Sequence, residues 1–273
     1  MEARRVAYLG PEGTFTQEAA IKHFGPAAHY LPCATIDAVF REVESRAAAH
    51  GVVPVENSTE GAVGRTLDLL LATPLKICGE VELRIHQHLL RCAPDLVGVT
   101  HVYSHAQSLA QCNEWLDRNL PGALRTPVAS NAEAARRAAQ EAGAAAIAGA
   151  AAATIHDLTV VSRDIEDEPD NTTRFLLLGE HDSAPTARDK TSFVMSAKNR
   201  PGAMVALLRP LARYGVSMTK LESRPSRKGR WDYVFFTDIE GHSQDPNVAL
   251  ALAEIQRRAG FMKVLGSYPA AGS

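Results

Sequence analysis

The hydrophobic pattern of this chain changes character once, and that change limits what it can fold into. Up to about residue 180, short apolar runs alternate with helix-like stretches. Residues 5–9, 51–55, 76–90, 101–104, 144–148 and 175–178 read as strands. Helices are expected from Thr14 or Thr16, over 66–71, over 107–116 and over 131–142. The last of these is capped by Ser130 or Asn131 and closed by Gly143. Strands alternating with helices predict an α/β sheet. A polar, proline-containing stretch at 180–189 then interrupts the pattern. Beyond it the order is strand 191–197, helix 202–214, strands 217–223 and 231–239 around a charged turn at 226–230, helix 247–259 and strand 262–268. That βαββαβ order is the ferredoxin-like arrangement. Two domains are expected, at 1–182 and 190–268, with a linker at 183–189.

Composition narrows the functional classes. The 273 residues carry 29 basic and 31 acidic side chains, a formal net charge of -2. Nucleic-acid binders normally show a basic surplus, so none is expected as a partner. No apolar run reaches the ~18 to 20 residues of a membrane span. The apolar stretch after Arg4 and Arg5 is too short for a signal segment, so a cytoplasmic protein, with no membrane partner, is expected rather than a secreted binding protein. Cys33, Cys78, Cys92 and Cys112 form no C-x-x-C pair and read as free thiols of a reducing compartment.

Polar turns recur at strand ends that enter helices, where ligands of open α/β sheets bind. Gly10-Pro11-Glu12-Gly13-Thr14 follows the first strand, although its spacing is neither a Walker loop nor a dinucleotide fingerprint and an ordinary βα turn also accounts for it. Glu56-Asn57-Ser58-Thr59 follows another strand, with helix capping as the alternative explanation. Ser104-His105-Ala106-Gln107 follows a third, and Gln107 and Gln111 share a helix face. His105 has no identifiable acidic orienter, and Cys112 reads as a buried structural thiol. Asp170-Asn171-Thr172-Thr173-Arg174 pairs hydroxyls with an arginine suited to a carboxylate, or else forms a turn with a surface arginine. His86 and His88 share a strand face, but no carboxylate or thiol near them in sequence completes a metal set, so no metal is expected.

Taken together these segments resemble prephenate dehydratase. The motifs are GPEGTFTQEAA at 10–20, VPVENSTEGAV at 53–63, SHAQSLAQC at 104–112, SNAEAA at 130–135 and NTTRFLLLG at 171–179. The C-terminal part resembles an ACT regulatory domain through NRPGAMVALL at 199–208 and ESRPSRKGRWDYVFFTDIEGH at 222–242. The resemblance covers nearly the whole chain.

It implies decarboxylative dehydration of prephenate to phenylpyruvate, in phenylalanine biosynthesis, without a cofactor. Thr173 would be catalytic, and Thr14, Asn57, Ser58, Ser104, Gln111, Asn171 and Arg174 would bind substrate. The catalytic part would be a two-lobed domain like the type II periplasmic binding proteins, with lobes at 1–75 plus 160–182 and at 76–159, closing by a hinge. L-phenylalanine would inhibit by binding Asn199, Pro201, Gly202, Ala203 and Met204 of one subunit and Glu222, Ser223 and Arg224 of another, in a homodimer or homotetramer. Ala106 stands where the family usually has Pro, Asn131 where it has Thr, and Met204 where Leu is more common. Arogenate dehydratase and a non-catalytic amino-acid-binding regulator are the alternative readings. No helical domain precedes Arg5, so a fused chorismate mutase is not expected.

Overall fold

A computed structural model describes residues 5–197, 200–226 and 233–272. Fifteen strands and nine helices run through these residues. The first lobe holds β1 (Arg5–Leu9), α1 (Phe15–Phe24), β2 (His29–Cys33), α2 (Ile36–Glu44), β3 (His50–Asn57), β4 (Gly61–Ala62), α3 (Gly64–Ala72) and β5 (Lys76–Arg84). The second holds β6 (His88–Arg91), β7 (His101–His105), α4 (Ala106–Gln111), α5 (Asn113–Asn119), β8 (Leu124–Val128), α6 (Asn131–Ala138), β9 (Ala144–Ala148), α7 (Ala150–Ile155) and β10 (Thr159–Ser162). The chain then returns as β11 (Thr172–Gly179). The small domain follows as β12 (Asp189–Ser196), α8 (Ala203–Arg213), β13 (Met218–Pro225), β14 (Tyr233–Glu240), α9 (Pro246–Arg258) and β15 (Phe261–Pro269), the expected βαββαβ order. The charged turn expected at 226–230 and the strand start at 231 lie largely outside the described residues.

The first sheet runs β2-β1-β3-β11-β5, with β4 paired to β3; the second runs β10-β6-β9-β7-β8. In the first, β1 is parallel to both neighbours and β11 antiparallel to β3 and β5. The inner strands are buried on both faces, and their sequences are accordingly near-continuous apolar runs. The extreme case is β9, Ala-Ala-Ala-Ile-Ala, with all five residues buried. Its small side chains let α6 approach through Ala134, Ala135 and Ala138, so the alanine-rich stretch is the core of the second lobe.

The lobe boundaries differ from those expected. Strand β5 pairs with β11 from Lys76 through Arg84, so 76–84 belongs to the first lobe and the chain crosses at 85–87, not near 76. Strand β10 pairs with β6, so the return runs through 163–171 rather than near 160. The reason is pairing: β11 needs a second antiparallel neighbour, and β5 is the strand that supplies it.

The small domain's sheet, β13-β14-β12-β15, is wholly antiparallel. One face lies under α8 and α9 around Phe193, Met195 and Ile239. The other face adds Val194, Phe236, Leu265 and Tyr268 to the first lobe's core at Val55, Leu70 and Ile77. The backbones meet at Gly266, where a Cβ would stand 2.1 Å from the Ile77 carbonyl oxygen, so only glycine fits. Lys263 Nζ also donates to the Leu70 and Thr73 carbonyls at the end of α3, at 2.8 and 2.5 Å, which satisfies orphan helix acceptors. No described helix is long and apolar enough to cross a membrane.

Candidate active site

A cleft of about 310 Å³ opens between the lobes. Its walls come from the turn after β1, the end of β3, the first crossing, the turns after β7 and β8, and β11. Two of these turns start helices at the cleft wall: Thr14 caps α1 and Ser130 caps α6. Helix N-termini favour anions without any charged side chain. Leu9, Phe15, Pro54, Ile85 and Phe175 supply apolar wall.

The polar side chains form one connected network. Asn57 Nδ2 donates to Asn171 Oδ1 at 2.7 Å and to Thr173 Oγ1 at 2.9 Å. Asn57 Oδ1 is fixed by the Thr59 hydroxyl at 2.6 Å and by the Thr59 and Glu60 N–H groups at 3.1 and 3.2 Å. Asn171 Nδ2 donates to Gln111 Oε1 at 3.1 Å, and Gln111 Nε2 donates to Thr59 Oγ1 at 3.1 Å. The Asn57 and Asn171 amides are therefore oriented from both ends, and Asn57 presents an N–H to Thr173. Since Thr173 Oγ1 accepts that bond, its own proton is left for another partner, and the residue lines the cleft.

Across the cleft, Gln87 Nε2 donates to Ser108 Oγ at 3.0 Å, and Asn131 Nδ2 donates to the same oxygen at 2.9 Å. Asn131 Oδ1 accepts the His105 N–H at 3.1 Å and lies 2.9 Å from Ser104 Oγ. Asn131 thus ties β7, α4 and α6 together. The buried Gln87 Oε1 has no hydrogen-bond partner among the described residues.

The predicted substrate residues divide. Thr14, Asn57, Gln111, Asn171 and Thr173 line the cleft together. Arg174 does not. Neighbours on a strand point to opposite faces, so with Thr173 in the cleft Arg174 faces the small domain. There Nε reaches Glu80 at 2.7 Å, Nη1 reaches Asp238 at 2.6 Å and Nη2 reaches the Tyr268 hydroxyl at 2.9 Å. Burial alone would lower the Arg174 pKa, but Tyr268, Asp238 and Glu80 hold it above its ordinary value. Ser58 also leaves the cleft: its Oγ accepts the Thr172 N–H at 3.0 Å and closes a turn. Ser104 is fully buried, with Oγ 2.7 Å from the Ile147 carbonyl, and supports Asn131 from below. Cys112 is buried, and burial pushes its thiol pKa far up, which suits packing rather than nucleophilic attack.

Gln87, Ser108 and Asn131 are wall residues that the motif reading did not assign to substrate. Gln87 lies between the two histidines that drew attention as a metal pair. The structure corrects that reading as well, because the return crossing brings Asp164 and Glu166 to His86, each 3.0 Å from Nδ1. Among the described residues this is the only group of three or more such side chains whose ligand atoms converge. Glu166 also accepts the Gln87 N–H at 2.9 Å, and His88 Nδ1 accepts the Asp164 N–H at 3.1 Å, so the group pins the two crossings to each other. Burial lowers the His88 pKa, in keeping with its role as acceptor.

Residues 6–183 match the prephenate dehydratase family and residues 191–256 match the ACT domain family. The chain belongs to the prephenate dehydratase family. The bifunctional chorismate mutase/prephenate dehydratase of Neisseria gonorrhoeae is 57% identical over 97% of this chain and 74% of its own length. The prephenate dehydratase of Amycolatopsis methanolica is 38% identical over 97% of this chain and 88% of its own. The solved structure of the Arthrobacter aurescens prephenate dehydratase in complex with L-Phe is 34% identical, with a TM-score of 0.89 over 97% of this chain and 89% of that one.

As in the family's plan, the ACT domain follows the catalytic part. Gly202, in the left-handed region at φ 75°, opens α8. Of the effector residues expected from the resemblance, Asn199 lies outside the described residues. Pro201, Gly202, Ala203 and Met204 form the turn into α8. Strand β13 carries the others on alternate faces. Arg224 Nη2 donates to Asp68 of α3 at 3.1 Å and Lys220 pairs with Glu56, so this face, with Glu222 between them, is turned to the first lobe. Ser223 is on the opposite face. Within one chain, Arg224 thus makes a contact between the domains.

Proposed function

We propose that this prephenate dehydratase family member removes water and carbon dioxide from prephenate to give phenylpyruvate. The observation that carries the reading is the Asn57–Thr173 hydrogen bond of 2.9 Å, in which Thr173 Oγ1 is the acceptor, so that its proton remains available to a substrate in the cleft it lines. Prephenate is a dianion whose ring carries a carboxylate on one carbon and a hydroxyl on the carbon opposite. The C–CO₂ bond breaks, its electron pair enters the ring, and the ring becomes aromatic as the hydroxyl departs. The departing oxygen takes a proton and leaves as water. One proton is consumed and the dianion becomes a monoanion. A threonine hydroxyl is a weak acid, so Thr173 acts as a positioned donor that relays a proton to the leaving oxygen, while the Asn57 N–H stabilises the charge left on Oγ1.

The neutral cleft suits this chemistry. Charge moves from carboxylate to hydroxyl during the reaction, and fixed N–H dipoles follow it without trapping the dianion. Gln111 and Asn171, with the starts of α1 and α6, hold the carboxylates, and Thr14, whose hydroxyl donates to the Leu9 carbonyl, sets the start of α1. Gln87 Oε1 is left to accept a substrate hydroxyl. No aspartate or glutamate is among the described residues lining the cleft, so no carboxylate there would pair with an ammonium, which favours prephenate over arogenate.

We further propose that L-phenylalanine binds the ACT domain at the turn into α8 and inhibits, in a homodimer or homotetramer. The L-Phe complex of the Arthrobacter aurescens relative supports this. The four free cysteines support a cytoplasmic setting. The test is to incubate the purified protein with prephenate and follow phenylpyruvate absorbance in alkali, with and without L-phenylalanine. Product that diminishes with phenylalanine is expected; absence of product defeats the catalytic reading, and indifference to phenylalanine the regulatory one.

A further inference from the structure

Asn57 and Thr173 stand opposite each other in the β3–β11 register, and the next pair along is Glu56 and Arg174. In an unbroken ladder Val55 would point to the side opposite Glu56. A bulge opposite the Arg174–Phe175 step instead gives β3 one extra residue, so Val55 and Glu56 both turn away from the cleft while Pro54 and Phe175 return to it. On that far side, both members of the pair are bonded to the small domain. Arg174 holds Asp238 of β14 and Tyr268 of β15. Glu56 holds Lys220 Nζ of β13 at 2.7 Å. Each cleft residue is therefore one peptide unit from a residue anchored in the small domain, and β13 also carries Glu222 and Ser223.

We infer that Glu56 and Arg174 are positioning residues, through which the state of the small domain sets the Asn57–Thr173 contact and so the turnover. This rests on the reaction and the effector proposed above. The Arg174 side chain is 11% exposed and its small-domain partner Asp238 9%. Such pairs do not slacken by degrees, because a buried charge parted from its partner is strongly destabilising. A shift of the small domain therefore moves the strands with it. A displacement of about 1 Å at reacting groups costs on the order of a hundredfold in rate, which makes the position behind the catalytic pair a sensitive one.

The test uses the full-length enzyme with Glu56→Gln, at the more exposed partner, Lys220→Met and the double variant. Steady-state kinetics with prephenate, with and without saturating L-phenylalanine, are set beside calorimetric L-phenylalanine binding. Hydrogen exchange over residues 172–175 is followed in parallel. Each single variant is expected to lose about fivefold or more of the inhibition ratio, with KM and phenylalanine binding changed by less than about threefold. The double variant should lose no more than the worse single one, since the two residues form one contact. Full inhibition in both single variants, with phenylalanine bound, overturns the relay. A wild-type enzyme that fails to turn over prephenate refutes the assigned reaction instead. In that case exchange at 172–175 decides the relay: a phenylalanine response in the wild type but not in the variants upholds it, and no wild-type response overturns it.

Discussion

The two faces of the β3–β11 pair are built from opposite chemistry. The cleft face presents Asn57, Asn171 and Thr173, neutral groups oriented by each other. The far face presents Glu56 and Arg174, charged groups closed onto Glu80, Asp238 and Lys220. The difference shows how one pair of strands serves two tasks. A surface that must bind and release a dianion uses dipoles, whose desolvation cost is moderate. A surface that must stay closed uses buried ion pairs, whose separation is costly.

Thr173→Ala is the most direct way to break the cleft side. Turnover should fall by about 10²- to 10⁴-fold with the circular dichroism spectrum unchanged, and Thr173→Ser should recover most of it. Near-normal turnover in Thr173→Ala would sink the catalytic assignment. On the far side, Arg174→Ala leaves the buried Asp238 without its cation, while Glu80 keeps Lys190. Denaturant unfolding should then show about 3–5 kcal/mol lost, against little change if the cluster were a surface feature. Asn57→Asp sharpens the contrast by placing a charge on the neutral face. It removes the donor to Thr173 and repels a dianion, so kcat/KM should drop about 10²-fold, and stability should fall too, because the buried carboxylate faces the Asn171 and Thr173 oxygens.

The smallest effect concerns the cleft rim. Arg136, then Arg137, hold the Glu133 carboxyl down to about 2 from the model peptide value of 4.5. Because the folded value is the lower one, its stabilisation is present above pH 4.5 and is lost as the pH falls from there toward about 2. Glu133 is solvent-accessible and screened, so less than about 1 kcal/mol is at stake. Glu133→Gln should flatten the acid limb of the Tm profile slightly without altering turnover at neutral pH.

The motifs made half of the site legible. Thr14, Asn57 and Thr173 sit at a helix cap or a strand end and Gln111 closes α4, positions where sequence pattern and cleft wall coincide. Arg174 was legible as an anion partner only if the strand's twofold alternation was set aside, and its partners Asp238 and Tyr268 lie more than sixty residues downstream. Ser104 shares a motif with cleft residues but lies beneath them, because the strand end buries it under Asn131. The His86 group was hidden for the opposite reason: Asp164 and Glu166 are about eighty residues away in sequence and meet the histidine only where the two crossings run side by side. Strand β2, with Pro32 inside it and mixed burial, carries little pattern of its own and is defined by its pairing with β1.

By itself, the sequence determined the α/β class of the larger domain, the βαββαβ order of the small one and the family, and its motif singled out Thr173, because local periodicity and short motifs need no distant partner. The tertiary structure decided where the lobes divide, which face of β3 and β11 meets the substrate, and where the arginine beside Thr173 points. Strand pairing, a single bulge and charge burial are settled by contacts between residues far apart in the chain, and no local pattern encodes them.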